Sequence, residues 1–250
     1  MSETAVDVNN LDAPETTAAR GGVILSKPLL KYFYDRFYHF VKSEYKGGFW
    51  VELGSGAGFI KLVIPDMITS DYLELPGQDM RLDATAMPFE NNSVDGLCMM
   101  NVLHHIQDTE AFFAEAVRVL KPGGKVVMQE PANTLFSRFI YTFLHHEPFD
   151  TVAVNWKLPP GGPLSMANGA LPWIIFKRDR QRFEALFPEL EIRTLYGVHP
   201  VLYLASGGFS ARQLVPSWME GIVIAGDRLL ARLPWFPLFK RIVLVKRAGQ

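Results

Sequence analysis

The sequence predicts an α/β domain built on a mostly parallel sheet, and three observations carry that expectation. Phe49 to Leu53 has the aromatic and β-branched apolar character of a short buried strand, and it runs straight into Gly54, Ser55 and Gly56. Missing side chains let a ligand approach such a turn closely. Helix-compatible residues follow, so free N–H groups at a helix N-terminus would favour an anionic or carboxylate-bearing ligand. Two further strand-like runs, Met67 to Tyr72 and Asp79 to Ala84, carry Asp71 and Asp83 at their carboxyl ends, which line the ligand crevice of an open parallel sheet. Val94 to Asn101 is almost entirely apolar, as a strand covered on both faces should be.

The other elements follow in order. Met1 to about Gly22 is polar and poor in aromatic residues, and is expected to be a flexible arm (residues 1–22) ahead of a single domain spanning residues 23–250. Ser26 and Pro28 read as a helix start, with Leu30, Phe33, Phe37 and Val41 forming one apolar stripe. That stripe suits packing on the core or a wall of a substrate site. Asp71 can accept hydrogen bonds from both hydroxyls of a ribose, or can cap the next turn. The 17 residues from Gly54 to Asp71 are short of the usual ~20, which requires a trimmed first helix or a tight loop. Asp108 reads as the cap of a helix burying Phe113, Ala116, Val117 and Leu120. Lys121-Pro122-Gly123-Gly124 should end that helix before a strand from Lys125 to Gln129. Trp173 to Phe187 reads as a helix with Phe176, Phe183 and Phe187 on one face, and Leu190 to Val198 and Arg241 to Arg247 read as two last strands.

Composition narrows the function classes. A net charge of −1 supplies no basic field to hold nucleic acid, so no such partner is expected. The single cysteine, Cys98, excludes an intrachain disulfide and a cysteine-rich zinc site, and fits a cytoplasmic protein. The first twenty residues hold no apolar signal-peptide core. Leu158 to Phe176 and Thr194 to Ala211 are long charge-free runs, but prolines and glycines interrupt both, so no membrane span is expected.

Four further segments occur in order at close spacing: Asp83-Ala84-Thr85-Ala86-Met87-Pro88-Phe89, Ser93-Val94-Asp95, Asn101-Val102-Leu103-His104-His105-Ile106, and Arg118-Val119-Leu120-Lys121-Pro122-Gly123-Gly124. Together with the G-x-G-x-G turn of Gly54, Gly56 and Gly58 and with Glu52 just ahead of it, they resemble the type 11 methyltransferase domain family. That family belongs to the class I S-adenosylmethionine (SAM)-dependent methyltransferases, and the resemblance covers roughly Phe49 to Pro131. It implies a Rossmann-like three-layer sandwich with a mostly parallel seven-stranded sheet, the last strand antiparallel, plus helical and loop insertions. SAM is the implied cofactor, with its binding core at about residues 47–131. By the same resemblance Gly54, Ser55, Gly56 and Gly58 approach the methionine part, which Glu52 organises. Asp71 holds the ribose, Asp83 the adenine amino group, the Ala84 backbone an adenine ring nitrogen, and the Asn101 backbone faces the methionine amino group. The turn differs from the G-x-G-x-x-G of dinucleotide enzymes, which disfavours a nicotinamide oxidoreductase.

Two insertions, about 131–172 and 199–240, are charge-poor and rich in aromatics, proline and glycine. They suit a lid over an apolar or amphipathic small molecule, and equally a homodimer interface or additional core. The candidate bases are His104 and His105 after the fourth strand and His145 and His146, beside Glu147, in the first insertion. Capping or packing competes with catalysis for these histidines. Imidazole and carboxylate can ligate zinc or iron, but neither histidine pair has the i, i+4 spacing that shares a helix face, so no metal is expected. The expected reaction is methyl transfer to a small-molecule acceptor. Oxygen is preferred over nitrogen or carbon, because a histidine base suits hydroxyl deprotonation. A sugar of a polysaccharide precursor, a quinone-like lipid and a specialised metabolite all fit. The alternative is a SAM-binding scaffold without catalysis. Pro216 to Gln250 mixes tryptophan, phenylalanine and basic residues, which fits a weak peripheral contact with an anionic membrane, or packing against the domain or a second subunit.

Overall fold

The fold is that of a computed structural model, which describes residues 10, 12–56, 59–145, 147–209 and 211–248. Seven strands form one sheet: β1 (Trp50–Leu53), β2 (Ile68–Asp71), β3 (Met80–Arg81), β4 (Val94–Met100), β5 (Leu120–Pro131), β6 (Leu190–Val198) and β7 (Phe239–Lys246). Their order is β3-β2-β1-β4-β5-β7-β6. The first five pair in parallel, and β7 runs antiparallel between β5 and β6. The chain moves outward from β1 to β3 and then returns to the other side of β1 as β4. The carboxyl ends of β1 and β4 therefore diverge into a crevice, the place where open α/β sheets bind ligands.

Strand periodicity builds the three layers. Leu97 and Met99 of β4, Val126 and Met128 of β5, and Ile242 and Leu244 of β7 face one core. Cys98, Val127 and Val243, each one residue out of phase, face the other. The first core is closed by α3 (Thr109–Val119), by α5 (Leu171–Trp173), which continues through a π turn at Ile174–Arg178, and by α6 (Arg180–Leu186). Asp108 caps α3 by accepting a 3.1 Å hydrogen bond from the Ala111 N–H. The Phe113 ring packs on Phe176, Phe183 and Phe187 at centroid distances of 5.9, 5.1 and 5.4 Å. The expected single helix over residues 173–187 is thus one apolar face broken by a π turn, where three successive residues, Ile174, Ile175 and Phe176, are all buried. The second core is closed by α2 (Pro28–Glu44), whose Phe37, Tyr38 and Val41 are buried in it.

Sequence and structure part at four places. The expected loose arm is helical in its second half: α1 (Pro14–Ser26) starts with proline at its first turn and buries Thr16, Thr17 and Ile24. That burial holds a segment whose composition alone would leave it free. Ser26 consequently ends α1, and Lys27 occupies the cap position of α2. The described chain after the glycine turn forms a single 3-10 turn at Phe59–Leu62, not a full helix. Pro65 lies three residues on and cannot continue a helix, so no long helix N-terminus stands over the site. Finally β5 starts at Leu120. It pairs with Val94, bulges through residues 121–124 with Gly123 at φ 83°, and resumes at Lys125 opposite Gly96.

The first insertion supplies α4 (Leu135–Phe143), capped by reciprocal bonds between Thr134 and Ser137. The second supplies α7 (Leu202–Ala205) and α8 (Glu220–Leu230). Leu135, Phe139 and Phe143 of α4 and Trp218, Ile222, Leu229 and Trp235 of the second insertion are exposed. Among the described residues, no helix is long and apolar enough to cross a membrane.

Gly96 in β4 pairs with Trp50 of β1, and a methyl group there would overlap the buried indole. Gly96→Ala is therefore expected to destabilise the fold by about 1–3 kcal/mol or more, because the ring has no room to move in a closed core. A lowered urea midpoint with unchanged slope is the readout; an unshifted midpoint would show the indole to be loosely held.

Candidate active site

A cavity of about 930 Å³ opens at the carboxyl ends of β1, β2 and β4. Its floor is the glycine turn. Gly54 and Gly56 take φ values of 63° and 55°, a region costly for residues with a Cβ. The turn is stitched to β2: the Ser55 N–H donates to Ser70 O at 2.8 Å, and the Ser70 N–H donates to Ser55 Oγ at 3.0 Å. The Asp71 carboxylate accepts from the Gly56 N–H at 3.1 Å and from the Leu73 N–H at 3.0 Å while also lining the cavity. Capping and ligand contact are thus compatible roles for this residue. Burial raises its pKa despite those bonds.

Glu52 sits under the turn, and burial pushes its carboxyl up to about 8; hydrogen bonding from Ser55 and Tyr38 offsets part of that, and the Asp71 charge adds to it. Its Oε2 and the Asn101 Oδ1 are buried without a hydrogen-bond partner among the described residues, and both residues line the cavity. Asn101 holds φ 56°, an unusual conformation for a side-chain-bearing residue. Two orphaned acceptors on a cavity wall fit a ligand that brings ammonium and hydroxyl donors, as SAM does. Asp83 and Ala84 stand at the cavity edge, where Asp83 Oδ1 accepts from the Thr85 N–H at 2.8 Å and its hydroxyl at 2.7 Å. Glu52, Gly54, Ser55, Gly56, Asp71, Asp83, Ala84 and Asn101 therefore share one cavity. Gly58 and His146 lie outside the described residues.

The far wall holds the histidines. His104 is buried, its Nδ1 2.6 Å from Glu130 Oε2, and the other Glu130 oxygen accepts from the N–H groups of Val102 and Leu103 at 2.9 and 2.8 Å. His104 Nε2 lies 3.4 Å from Glu147 Oε2, and His105 Nε2 lies 3.7 Å from Glu147 Oε1. Burial works to lower the His104 pKa, but Glu130 and then Glu147 outweigh it and raise the imidazole to about 10. Burial and the neighbouring His104 charge push His105 down to about 4. His145 stands beside them, its Nδ1 accepting from the Glu147 N–H at 3.2 Å. Sequence reasoning missed Glu130. The available signal was a carboxylate at the end of a central strand, following the apolar Val126-Val127-Met128, where burial demands a partner. The roof is contributed by Thr17 and Arg20 of α1, Ile140 and Tyr141 of α4, and Tyr203 and Leu204 of α7.

This sheet order, glycine turn and cavity resemble those of class I SAM-dependent methyltransferase domains. A profile of the family described as "Methyltransferase domain" matches residues 52–128. Demethylmenaquinone methyltransferase of Renibacterium salmoninarum is 31% identical over 93 residues, which are 36% of this chain and 39% of that protein. The 2-phytyl-1,4-naphtoquinone methyltransferase of a Synechocystis species is 35% identical over 92 residues, 36% of this chain and 38% of its own length. These matches span about two fifths of either relative. Among solved structures, geranyl diphosphate C-methyltransferase of Streptomyces coelicolor, in complex with Mg2+, geranyl diphosphate and S-adenosyl-L-homocysteine, superposes with a TM-score of 0.51 at 14% identity. That superposition covers 97% of this chain and 90% of the other, and establishes the shared fold.

Proposed function

We propose that the chain transfers a methyl group from SAM to a hydroxyl of a small, largely apolar, quinone-like acceptor. The observation that carries this reading is the continuity of one cavity from the glycine turn to the histidine wall, beneath Ile140, Tyr141, Tyr203 and Leu204. SAM supplies a methyl group already activated on a sulfonium. The turn of Gly54, Ser55 and Gly56 with Glu52 takes its methionine end, Asp71 the ribose, Asp83 and Ala84 the adenine, and Asn101 the amino group. The acceptor lies between Tyr141, Tyr203 and the histidines, which fixes its oxygen in line with the methyl group. The oxygen–methyl bond forms as the sulfur–methyl bond breaks, the sulfur keeps the electron pair as a thioether, and the hydroxyl proton leaves toward His105, the imidazole that burial and the His104 charge keep neutral. The names of the two quinone-methylating relatives support the acceptor class, and the side chains of Ile140, Tyr141, Tyr203 and Leu204 agree with it.

Incubation with methyl-labelled SAM and a panel of reduced naphthoquinols, free sugars and phenolic metabolites tests the acceptor. Label on a quinol oxygen is expected, whereas label confined to a sugar would reject this acceptor class. Asp71→Ala is expected to weaken S-adenosylhomocysteine binding by ten- to a hundredfold or more in calorimetry, since a charged hydrogen bond contributes roughly 1.5–3 kcal/mol. Asp71→Asn keeps the cap on Gly56 and should show a smaller loss. Unchanged affinity in both would remove Asp71 from the cofactor site.

A further inference from the structure

We propose that His104, His105 and Glu147 form a binding site for a first-row divalent cation of the zinc type. One ring nitrogen from each histidine and one Glu147 carboxylate oxygen all lie within 4.8 Å of one another. His104 Nε2 lies 3.4 Å from one Glu147 oxygen and His105 Nε2 3.7 Å from the other, near the ~3.3 Å that separates nitrogen and oxygen ligands held ~2.0–2.1 Å from a tetrahedral zinc ion.

The outer contacts carry the inference further. The Nδ1 atoms of both histidines are engaged away from Glu147: that of His104 faces Glu130 Oε2 at 2.6 Å, and that of His105 faces the Met166 carbonyl at 3.1 Å. An acceptor at Nδ1 holds the proton there, so a cation that displaces the Nε2 proton meets a lone pair, the arrangement that ligating histidines ordinarily show. The Glu147 loop is steadied in turn by the bond from its own N–H to His145. Glu130, with both oxygens occupied by the strand-end N–H groups and His104, is an orienting residue rather than a ligand. Three protein donors with an open face toward the cavity are the donor set of catalytic zinc sites, and soft-to-borderline imidazoles select zinc over magnesium. Adjacent histidines cannot share a helix face, but here they lie on a 3-10 turn, Leu103–His105, with ring centroids 4.3 Å apart.

The role of the ion rests on the proposed function: with the three side chains occupied by the ion, an acceptor hydroxyl in the open position would release its proton to water, in place of direct transfer to His105. Ion binding itself is independent of that reading. The test uses the untagged chain stripped with a chelator and dialysed. Calorimetry with Zn2+ should give one ion per chain, and Co2+ should give the visible absorption of a four-coordinate site. Glu147→Gln and His105→Ala should each weaken Zn2+ binding at least a hundredfold and abolish the cobalt band, with circular dichroism unchanged. No Zn2+ uptake by the parent protein, or equal uptake by both folded variants, would overturn the site. S-adenosylhomocysteine titration of the same samples separates the outcomes, because it reads the glycine-turn end of the cavity and not the histidine wall.

Discussion

Glu52→Gln is expected to weaken S-adenosylhomocysteine binding by roughly ten- to a hundredfold while stabilising the ligand-free protein above neutral pH. Both effects have one cause. Burial raises the Glu52 carboxyl from 4.5 to about 8, so the protein holds it protonated at neutral pH before a cationic ligand binds. The sign follows from linkage. A folded pKa above the unfolded one favours folding fully below pH 4.5, and that contribution is lost as pH rises through about 8. Each pH unit inside that window costs the folded chain up to roughly 1.4 kcal/mol. Glutamine has no charge to bury, so the melting temperature of the variant should fall less than that of the parent between pH 6 and 9. A cationic ligand reverses the preference, because its donors favour the carboxylate. Affinity of the parent should therefore climb with pH up to about 8, and the climb should vanish in the variant. Parallel melting curves and equal affinities across this range would show that Glu52 neither titrates there nor meets the ligand.

Glu130→Ala is expected to destabilise the protein by about 3–5 kcal/mol, the range for removing one partner of a buried pair. Glu130 is fully buried, and its two oxygens serve three donors: the Val102 and Leu103 N–H groups and His104. Alanine leaves all three without their acceptor beneath the cavity wall, which outweighs the desolvation it relieves. The urea midpoint should drop accordingly. Glu130→Gln keeps one acceptor oxygen and should lie between the two. A loss below ~1 kcal/mol in the alanine variant would mean that water reaches these groups.

Much of the cofactor end was legible because its signals are local. A strand needs only apolar residues of the right kind, and Gly54 and Gly56 announce a turn that few other residues can make, at φ 63° and 55°. Period-two alternation in β4 and β5 then fixes which side chains face which core. The histidine wall was not legible. His104 and His105 stand 26 and 25 residues from Glu130 in the chain, and Glu147 lies in an insertion with no local pattern of its own. Spacing rules for helices argued against any shared site for them, but the groups converge through a 3-10 turn, a strand end and a loop.

The sequence by itself determined the order of strands and turns, the position of the nucleotide-type crevice and the acidic residues around it, since each depends on residues close together in the chain. Only the tertiary structure decided that α1 roofs the cavity and that Glu130 and Glu147 bracket His104. Those outcomes depend on burial. A polar segment folds down when neighbours cover it, and a carboxylate changes its protonation and partners when water is excluded, and neither condition exists until the sheet has brought distant segments together.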